Sequence, residues 1–294
     1  MFAPMIFPAT HFRSALLAIL FVAVGGCHLP ADLAQPEVAS TGEETENAGE
    51  GTNPETPVVE PAQPAKPGFE SAGWDVFKKQ IASGSGGPKL KDRYSQVKTN
   101  EKVIAITFDD GPHKDNTPRL LDMLKKRNIK ATFYVVGDMI KYNPQILART
   151  VQEGHEIGNH TVTHGTLSRM STSSLHRELA NAHQMIVEVT GIAPRTMRPP
   201  GGAIKSSQRE YMLKEFGYPT ILWSVDPEDW KKPGVSVVTR RLVNGASSGG
   251  ILLVHDLHKS TVDAMPAALD QLLAKGFRFV TVSELLAMDQ TDSE

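Results

Sequence analysis

Two neighbouring carboxylates, Asp109 and Asp110, lie in the run TFDDGP at positions 107–112. An apolar, strand-like stretch precedes them, and Gly111 and Pro112 then turn the chain, so both acids can point into one cavity. Two close carboxylates resist being ionised together unless a cation neutralises one of them. Taken alone, the run favours an ordinary Asp-Gly-Pro turn, and a cation site needs further ligands.

Two histidines four residues apart, His160 and His164, are candidates for those ligands. The spacing predicts that both imidazoles lie on one face of a helical turn. Together with Asp110 they form a three-ligand set that leaves coordination positions open, as catalytic zinc sites do. A histidine pair by itself is more often a surface or capping feature. The combination predicts one divalent metal, with zinc as the first choice and cobalt or nickel as alternatives.

A metal with open coordination positions acidifies water and polarises a carbonyl, so this ligand set suits hydrolysis of a carbonyl compound such as an amide, which also needs a base and an acid. Asp109, the carboxylate that the metal leaves free, is the candidate general base. His255, near the end of the run GILLVHD, is the candidate general acid, because an unprotonated amide anion is too basic to leave. Asp229 in the run DPEDW is its predicted partner, since a carboxylate raises the pKa of an imidazole. A capping or core histidine is the alternative interpretation of His255.

The run RPPGG, which begins at Arg198, combines a fixed cation with a stiff turn. A guanidinium beside Asp109 would hold that base in place, and the N–H of Gly201 could stabilise an oxyanion. A loop with an exposed arginine is the alternative interpretation.

The fold must bring these residues together, because they lie up to nearly 150 positions apart. Apolar, β-rich runs predict strands at 103–108, 131–136, 220–225, 251–255 and 277–282, with weaker ones around Ile157 and Met197. Apolar residues at three- and four-residue spacing predict helices at 118–127, 144–153, 174–190, 207–216, 235–246 and 262–275. Such alternation predicts an α/β fold with a parallel sheet. About seven repeats favour a barrel over an open sheet, with the reactive residues at the carboxyl ends of the strands.

The N-terminus, residues 1–27, has the pattern of a secretory signal: Arg13, an apolar run at 15–24, and then small residues. The apolar run is too short to span a bilayer, which takes about 20 residues. Cys27 is the only cysteine and lies at a lipobox-like position. We expect it to be lipidated; an ordinary signal followed by an incidental cysteine is the alternative.

Composition divides the rest of the chain. Residues 28–70 are rich in Pro and Glu and predict a disordered linker. Residues 71–100 form a short extension, 101–288 the catalytic domain and 289–294 a tail. The net charge of −2 and the absence of a basic stretch exclude nucleic acid as a partner.

Five runs in this order resemble the motifs of the polysaccharide deacetylase family, carbohydrate esterase family 4. They are TFDDGP, HEIGNHTVTH, RPPGG, DPEDW and LLVHD, and the resemblance extends from about Lys102 to Leu286. It implies a distorted (β/α) barrel that usually holds zinc. It also implies deacetylation of N-acetylglucosamine polymers or, in some members, of O-acetyl xylan.

By position, the resemblance implies a role for each residue of the site. These are Asp109 as base, His255 as acid, Asp110, His160 and His164 as metal ligands, Arg198 orienting the base, Asp229 tuning the acid, and Trp230 with Leu253 lining the acetyl pocket. Many members carry an aromatic residue where this chain has Gly201. The backbone donor is kept there, while the shape of the substrate subsite differs.

We therefore expect an exported N-deacetylase of the cell envelope that acts on an acetylated glycan, with peptidoglycan as the first candidate. Its other predicted partner is the membrane, through the lipid anchor, and we expect a monomer. An O-acetyl polysaccharide esterase is the alternative enzyme. A non-catalytic glycan-binding module is the alternative of another class, which the presence of every catalytic position disfavours.

Overall fold

The computed structural model describes residues 90–290, in which strands and helices alternate. The strands of this part are β1 Arg93–Tyr94, β2 Val103–Asp109, β3 Thr132–Val135, β4 Glu156–Asn159, β5 Thr220–Ile221, β6 Gly250–His255 and β7 Arg278–Phe279. Its α-helices are α1 Asn116–Lys126, α2 Gly137–Tyr142, α3 Pro144–Gln152, α4 Thr172–Thr190, α5 Ser206–Phe216, α6 Val235–Gly245, α7 Lys259–Ala274 and α8 Val282–Leu286. The predicted signal, Cys27 and the linker lie outside the described residues.

The central strand is β2, and its neighbours set the geometry of the site. The strand order is β4-β3-β2-β6, β7 pairs with the start of β2, and β1 pairs with β5. Each of these pairings is parallel. In the resulting register Asp109 lies opposite Tyr134 on one side and His255 on the other. The base and acid candidates therefore share one end of the sheet.

The predicted α/β fold with parallel strands is confirmed, but regular strands do not complete the ring. Single bridges continue it, between Asn159 and Met197, Met197 and Thr220, and Val225 and Leu252. The predicted strand at 220–225 was too long, because β5 stops at Ile221. The carbonyl oxygens of residues 221 and 222 accept hydrogen bonds from the side chain of Arg198, which ties this backbone to a side chain of the site.

The last predicted strand was also too long. Thr281 accepts a hydrogen bond from the backbone N–H of Glu284, and the Glu284 side chain accepts one from the N–H of Thr281. This reciprocal cap starts a helix at Val282, so β7 is only two residues long.

Alternation along β2 explains why Asp109 points inward. Ile104, Ile106 and Phe108 belong to the core shared with the surrounding helices. Val103 and Ala105 pack instead in a second cluster on the opposite face of the sheet, with Tyr134. Successive side chains on a strand face opposite sides. The side chains at positions 107 and 109 therefore lie on the same face as Val103 and Ala105.

Part of the 71–100 extension joins the same sheet. Arg93 and Tyr94 pair with β5, and the N–H of Lys98 donates to Asp289. Within residues 90–290, no helix is both long and apolar enough to cross a bilayer.

Candidate active site

The three predicted metal ligands converge at the end of β2. Oδ1 of Asp110 lies 3.3 Å from Nε2 of His160 and 3.0 Å from Nε2 of His164. One ligand atom from each residue lies within 4.8 Å of the other two. His160 is almost completely buried, whereas 45% of the His164 side chain is exposed.

The two histidines meet in a way that the sequence did not predict. The expected helical turn is wrong, because the chain leaves β4 in a loop in which Thr161 and His164 have φ values of 69° and 57°. These are left-handed conformations, which a right-handed helix does not contain. The loop brings the two imidazole rings to a centroid distance of 5.0 Å.

The donor set fits a divalent metal. Nδ1 of His160 lies 2.7 Å from the carbonyl oxygen of Arg198, which can only accept, so Nδ1 carries the proton. The lone pair of Nε2 then faces Oδ1 of Asp110, which is a buried oxygen. Two electron-rich atoms at 3.3 Å repel each other unless a proton or a metal ion lies between them. A carbonyl bound to the second imidazole nitrogen is also the usual support of a metal-binding histidine.

Electrostatics keep the Asp110 carboxylate ionised, which is the form that binds a cation. Burial would raise its pKa, but the imidazoles of His160 and His164 hold it well below its usual range. In return, the hydrogen bond with Asp110 raises the pKa of His164. A proton and a metal therefore compete for His164, as is general for metal-binding histidines.

Asp109 is held in a different environment from its neighbour. Its Oδ1 accepts a 2.7 Å hydrogen bond from Nη1 of Arg198, which is itself completely buried. The same nitrogen donates to Oγ1 of Thr107 at 2.6 Å. With the carbonyl oxygens of residues 221 and 222 as further acceptors, the guanidinium has a fixed orientation.

Aromatic rings close the space around that guanidinium. The ring of Tyr134 lies 4.3 Å from Cζ of Arg198, and the ring of Trp223 lies 5.7 Å from it. Both distances are within the range of cation–π attraction. A side chain at Gly158 would collide with Tyr134, so this glycine makes room for the ring.

His255 and Asp229 form a second charged pair at the end of β6. Nδ1 of His255 donates to Oδ1 of Asp229 at 2.8 Å. Oδ2 of Asp229 accepts from the N–H of His255 and from Oγ1 of Thr261, each at 2.9 Å. Burial opposes the charged imidazole, but Asp229 and the nearby Asp109 and Asp110 raise the pKa of His255 to about 9. The surroundings of His255 therefore favour its protonated form.

Most of the predicted site residues line one cavity of about 320 Å³. Gly201, Trp230 and Leu253 line it together with the metal ligands, Asp109 and His255. Trp230 is half-exposed, whereas Leu253 is buried. Arg198 and Asp229 lie behind the wall and act on residues that line the cavity. Nothing lies within 4 Å of the position that a Cβ atom on Gly201 would occupy.

Two lining residues, Trp223 and His258, and the buried Tyr134 were not singled out from the sequence. Trp223 lies in the predicted strand at 220–225 and Tyr134 in the one at 131–136. Large aromatic residues near the carboxyl ends of predicted barrel strands were the available signal. His258, three residues after His255, had no comparable signal.

Comparison with known proteins decides the family. The sequence profile of polysaccharide deacetylases matches residues 96–221. A peptidoglycan-N-acetylglucosamine deacetylase of Bacillus cereus is 42% identical over 196 residues, which cover 65% of this chain and 91% of that protein. The chain belongs to the polysaccharide deacetylase family.

A longer relative and a solved structure support the same family assignment. The peptidoglycan-N-acetylglucosamine deacetylase PgdA of Listeria monocytogenes is 40% identical over 207 residues, 67% of this chain. The match spans only 43% of that relative's length. The crystal structure of the Bc1960 peptidoglycan N-acetylglucosamine deacetylase is similar with a TM-score of 0.64 and 33% identity, over 69% of this chain and 95% of that one.

Proposed function

We propose that this protein is an exported, metal-dependent N-deacetylase of N-acetylglucosamine-containing polysaccharide, with peptidoglycan as its substrate. One observation carries the proposal: the adjacent carboxylates Asp109 and Asp110 have different partners within one cavity. Asp110 faces two imidazoles that suit a metal, and Asp109 faces a buried guanidinium. A protonated His255 lines the same cavity, where a leaving amine needs a proton.

Asp110, His160 and His164 hold the metal in this proposal. When bound there, a divalent ion such as zinc, or cobalt or nickel, supplies an acidified water and a polarised carbonyl. The neutral imidazole and carboxylate donors suit all three ions, and the choice among them is left to metal analysis.

Asp109 acts as the general base. Its Oδ1 is fixed by Arg198, which leaves Oδ2 to take the proton of the attacking water. The guanidinium also prevents the carboxylate from turning away. Arg198 therefore acts through Asp109, as a residue that orients the base.

His255 acts as the general acid. After the water oxygen has bonded to the acetyl carbon, the C–N bond breaks and the amine nitrogen takes a proton from His255. Asp229 keeps that proton on the imidazole at neutral pH. The N–H of Gly201 is the proposed donor to the oxyanion, and Trp230 with Leu253 encloses the acetyl methyl group.

Substrate and location are supported by several observations. Relatives from two bacteria are named peptidoglycan-N-acetylglucosamine deacetylases. The predicted signal directs the chain to the envelope, where peptidoglycan lies. A lipid on Cys27 would tether the domain to the membrane.

Acetate release from a panel of glycans tests the proposal. The metal-loaded protein is incubated with peptidoglycan, N-acetylglucosamine oligomers and acetylated xylan, and acetate and new amines are measured by mass spectrometry. We expect acetate and amines from the amino sugars, and neither from the Asp110→Asn variant. Acetate from xylan alone would instead establish the O-acetyl esterase. Binding without any acetate release would establish a glycan-binding module.

A further inference from the structure

One side chain outside the cavity holds the loop that carries His164. Glu178 lies in α4, and its Oε2 accepts hydrogen bonds from the backbone N–H groups of Val162 and Thr163, both at 2.9 Å. Its Oε1 accepts from Oγ1 of Thr163, also at 2.9 Å. One carboxylate therefore binds three donors of two consecutive loop residues.

His164 depends on this loop more than the other ligands depend on theirs. His160 is buried, and its Nδ1 is fixed by the carbonyl of Arg198. His164 is the most exposed of the three. Within residues 90–290, its ring makes one polar contact, that of Nε2 with Asp110. The direction of the His164 ring therefore follows from the backbone that carries it.

That backbone is strained. Thr161 and His164 both have left-handed φ values, and Thr161 is β-branched. Such conformations are unfavourable and persist only where the surroundings hold them. On the inner side, the N–H of Gly137 donates to the carbonyl of Thr161. On the outer side, Glu178 supplies the charged acceptor, and charge-assisted hydrogen bonds are about twice as strong as neutral ones.

We infer that Glu178 is a positioning residue of the metal site, which fixes the loop of residues 161–164 and through it sets the metal affinity of His164. The inference rests on the proposed function only in that Asp110, His160 and His164 bind a metal. Glu178 is not among the residues that line the cavity. Its effect is transmitted by the loop backbone, as with other groups that orient metal ligands.

A purely structural role for Glu178 has a different signature. If the carboxylate only joined α4 to the loop, its removal would lower the melting temperature of the metal-free protein and leave the metal affinity unchanged. Metal affinity is therefore the deciding measurement. It can be measured without any substrate.

The test uses full-length protein and titrates Zn²⁺ in competition with a chromophoric chelator. We expect Glu178→Ala to weaken zinc binding by about 10- to 100-fold, the range for residues that support metal ligands. Glu178→Gln keeps one oxygen acceptor, so this variant should weaken zinc binding less than Glu178→Ala does. It replaces the alanine variant in the test if the alanine variant does not fold. Glu188→Ala is the matched control, because Glu188 lies on the same helix and, within residues 90–290, accepts its hydrogen bond from Gln184.

A double-mutant comparison shows whether the effect passes through His164. In a His164→Ala background, Glu178→Ala should cause no further loss of zinc affinity. An equal loss in both backgrounds, or no loss in the wild-type background, would overturn the inference while leaving the metal site in place. If His164→Ala alone leaves zinc affinity unchanged, the ligand set is wrong, and both the inference and the proposed metal site fail.

Discussion

The guanidinium of Arg198 donates a 2.7 Å hydrogen bond to Oδ1 of Asp109, and both side chains are buried. A buried carboxylate without its cation is strongly disfavoured, whereas the same carboxylate at the surface would be solvated by water. The pair therefore couples the stability of the domain to the orientation of its proposed base.

Arg198→Met should both destabilise the domain and slow turnover. Removal of one partner from a buried ion pair costs about 3–5 kcal/mol in the free energy of unfolding. Urea denaturation measures this loss. Arg209→Met is the control, because Arg209 pairs with Asp92 nearer the surface, where such a pair contributes roughly 0–1 kcal/mol. Equal losses in the two variants would show that the buried pair has no special energetic role.

Asp109→Asn should separate catalysis from metal binding. The amide keeps the size of the carboxylate but cannot take a proton, so turnover should fall by about 10²- to 10⁴-fold while the metal remains bound. Elemental analysis of the purified variant measures the metal content. Asp110→Asn is the counterpart and should lose the metal. If Asp109→Asn also lost the metal, Asp109 would have to be counted as a ligand.

His255→Ala should affect amides far more than activated esters. An amine needs a proton to leave, whereas 4-nitrophenolate leaves without one. The ratio of kcat/KM for an N-acetyl sugar oligomer and for 4-nitrophenyl acetate measures the difference. A loss of the same size for both substrates would mean that His255 supports the metal or the fold, and that the proton comes from another group.

Asp229→Asn should shift the alkaline limb of the pH–rate profile to lower pH. An acid catalyst works while it is protonated, so activity falls as the pH rises through the pKa of His255, which is about 9 in the metal-free protein. A cation at Asp110 lowers that pKa, and loss of the Asp229 charge lowers it further.

The control for this shift is Asp226→Asn. Asp226 lines the same cavity and accepts from the N–H of Glu228, but it is not among the groups that raise the pKa of His255. It should leave the alkaline limb in place. The groups that act on His255 are Asp229, Asp109 and Asp110, which raise its pKa, and His164, whose positive charge opposes that of His255. If the alkaline limb does not move in Asp229→Asn, the limb reports the titration of a group other than His255.

Cys27→Ala should release the protein from the membrane or block its maturation. The thiol is the attachment point for lipid in the predicted signal, and no other cysteine in the chain can replace it. Fractionation of cells, together with the mass of the mature N-terminus, checks both outcomes. A wild-type protein found entirely in the soluble fraction of the envelope would establish an ordinary cleaved signal.

The residue types and their order determined the chemistry that the site can perform. In the sequence alone, carboxylate, imidazole and guanidinium groups at the ends of apolar runs indicated a metal site and a pair of acid and base groups. The alternation of strand and helix periods also predicted that distant residues meet, because parallel strands end on one face. The register that places Asp109 opposite His255 agrees with this expectation.

The tertiary structure alone decided how individual segments bend and what surrounds each charge. His160 and His164 have helical spacing, yet residues 161–164 form a loop with left-handed residues, which accepts a hydrogen bond from Gly137 and donates hydrogen bonds to Glu178. The rings of Tyr134 and Trp223 around Arg198 were likewise absent from the motifs. Periodicity reports local preference, whereas the conformation of a short loop is set by hydrogen bonds from residues distant in the chain. Those partners are known only once the chain has folded.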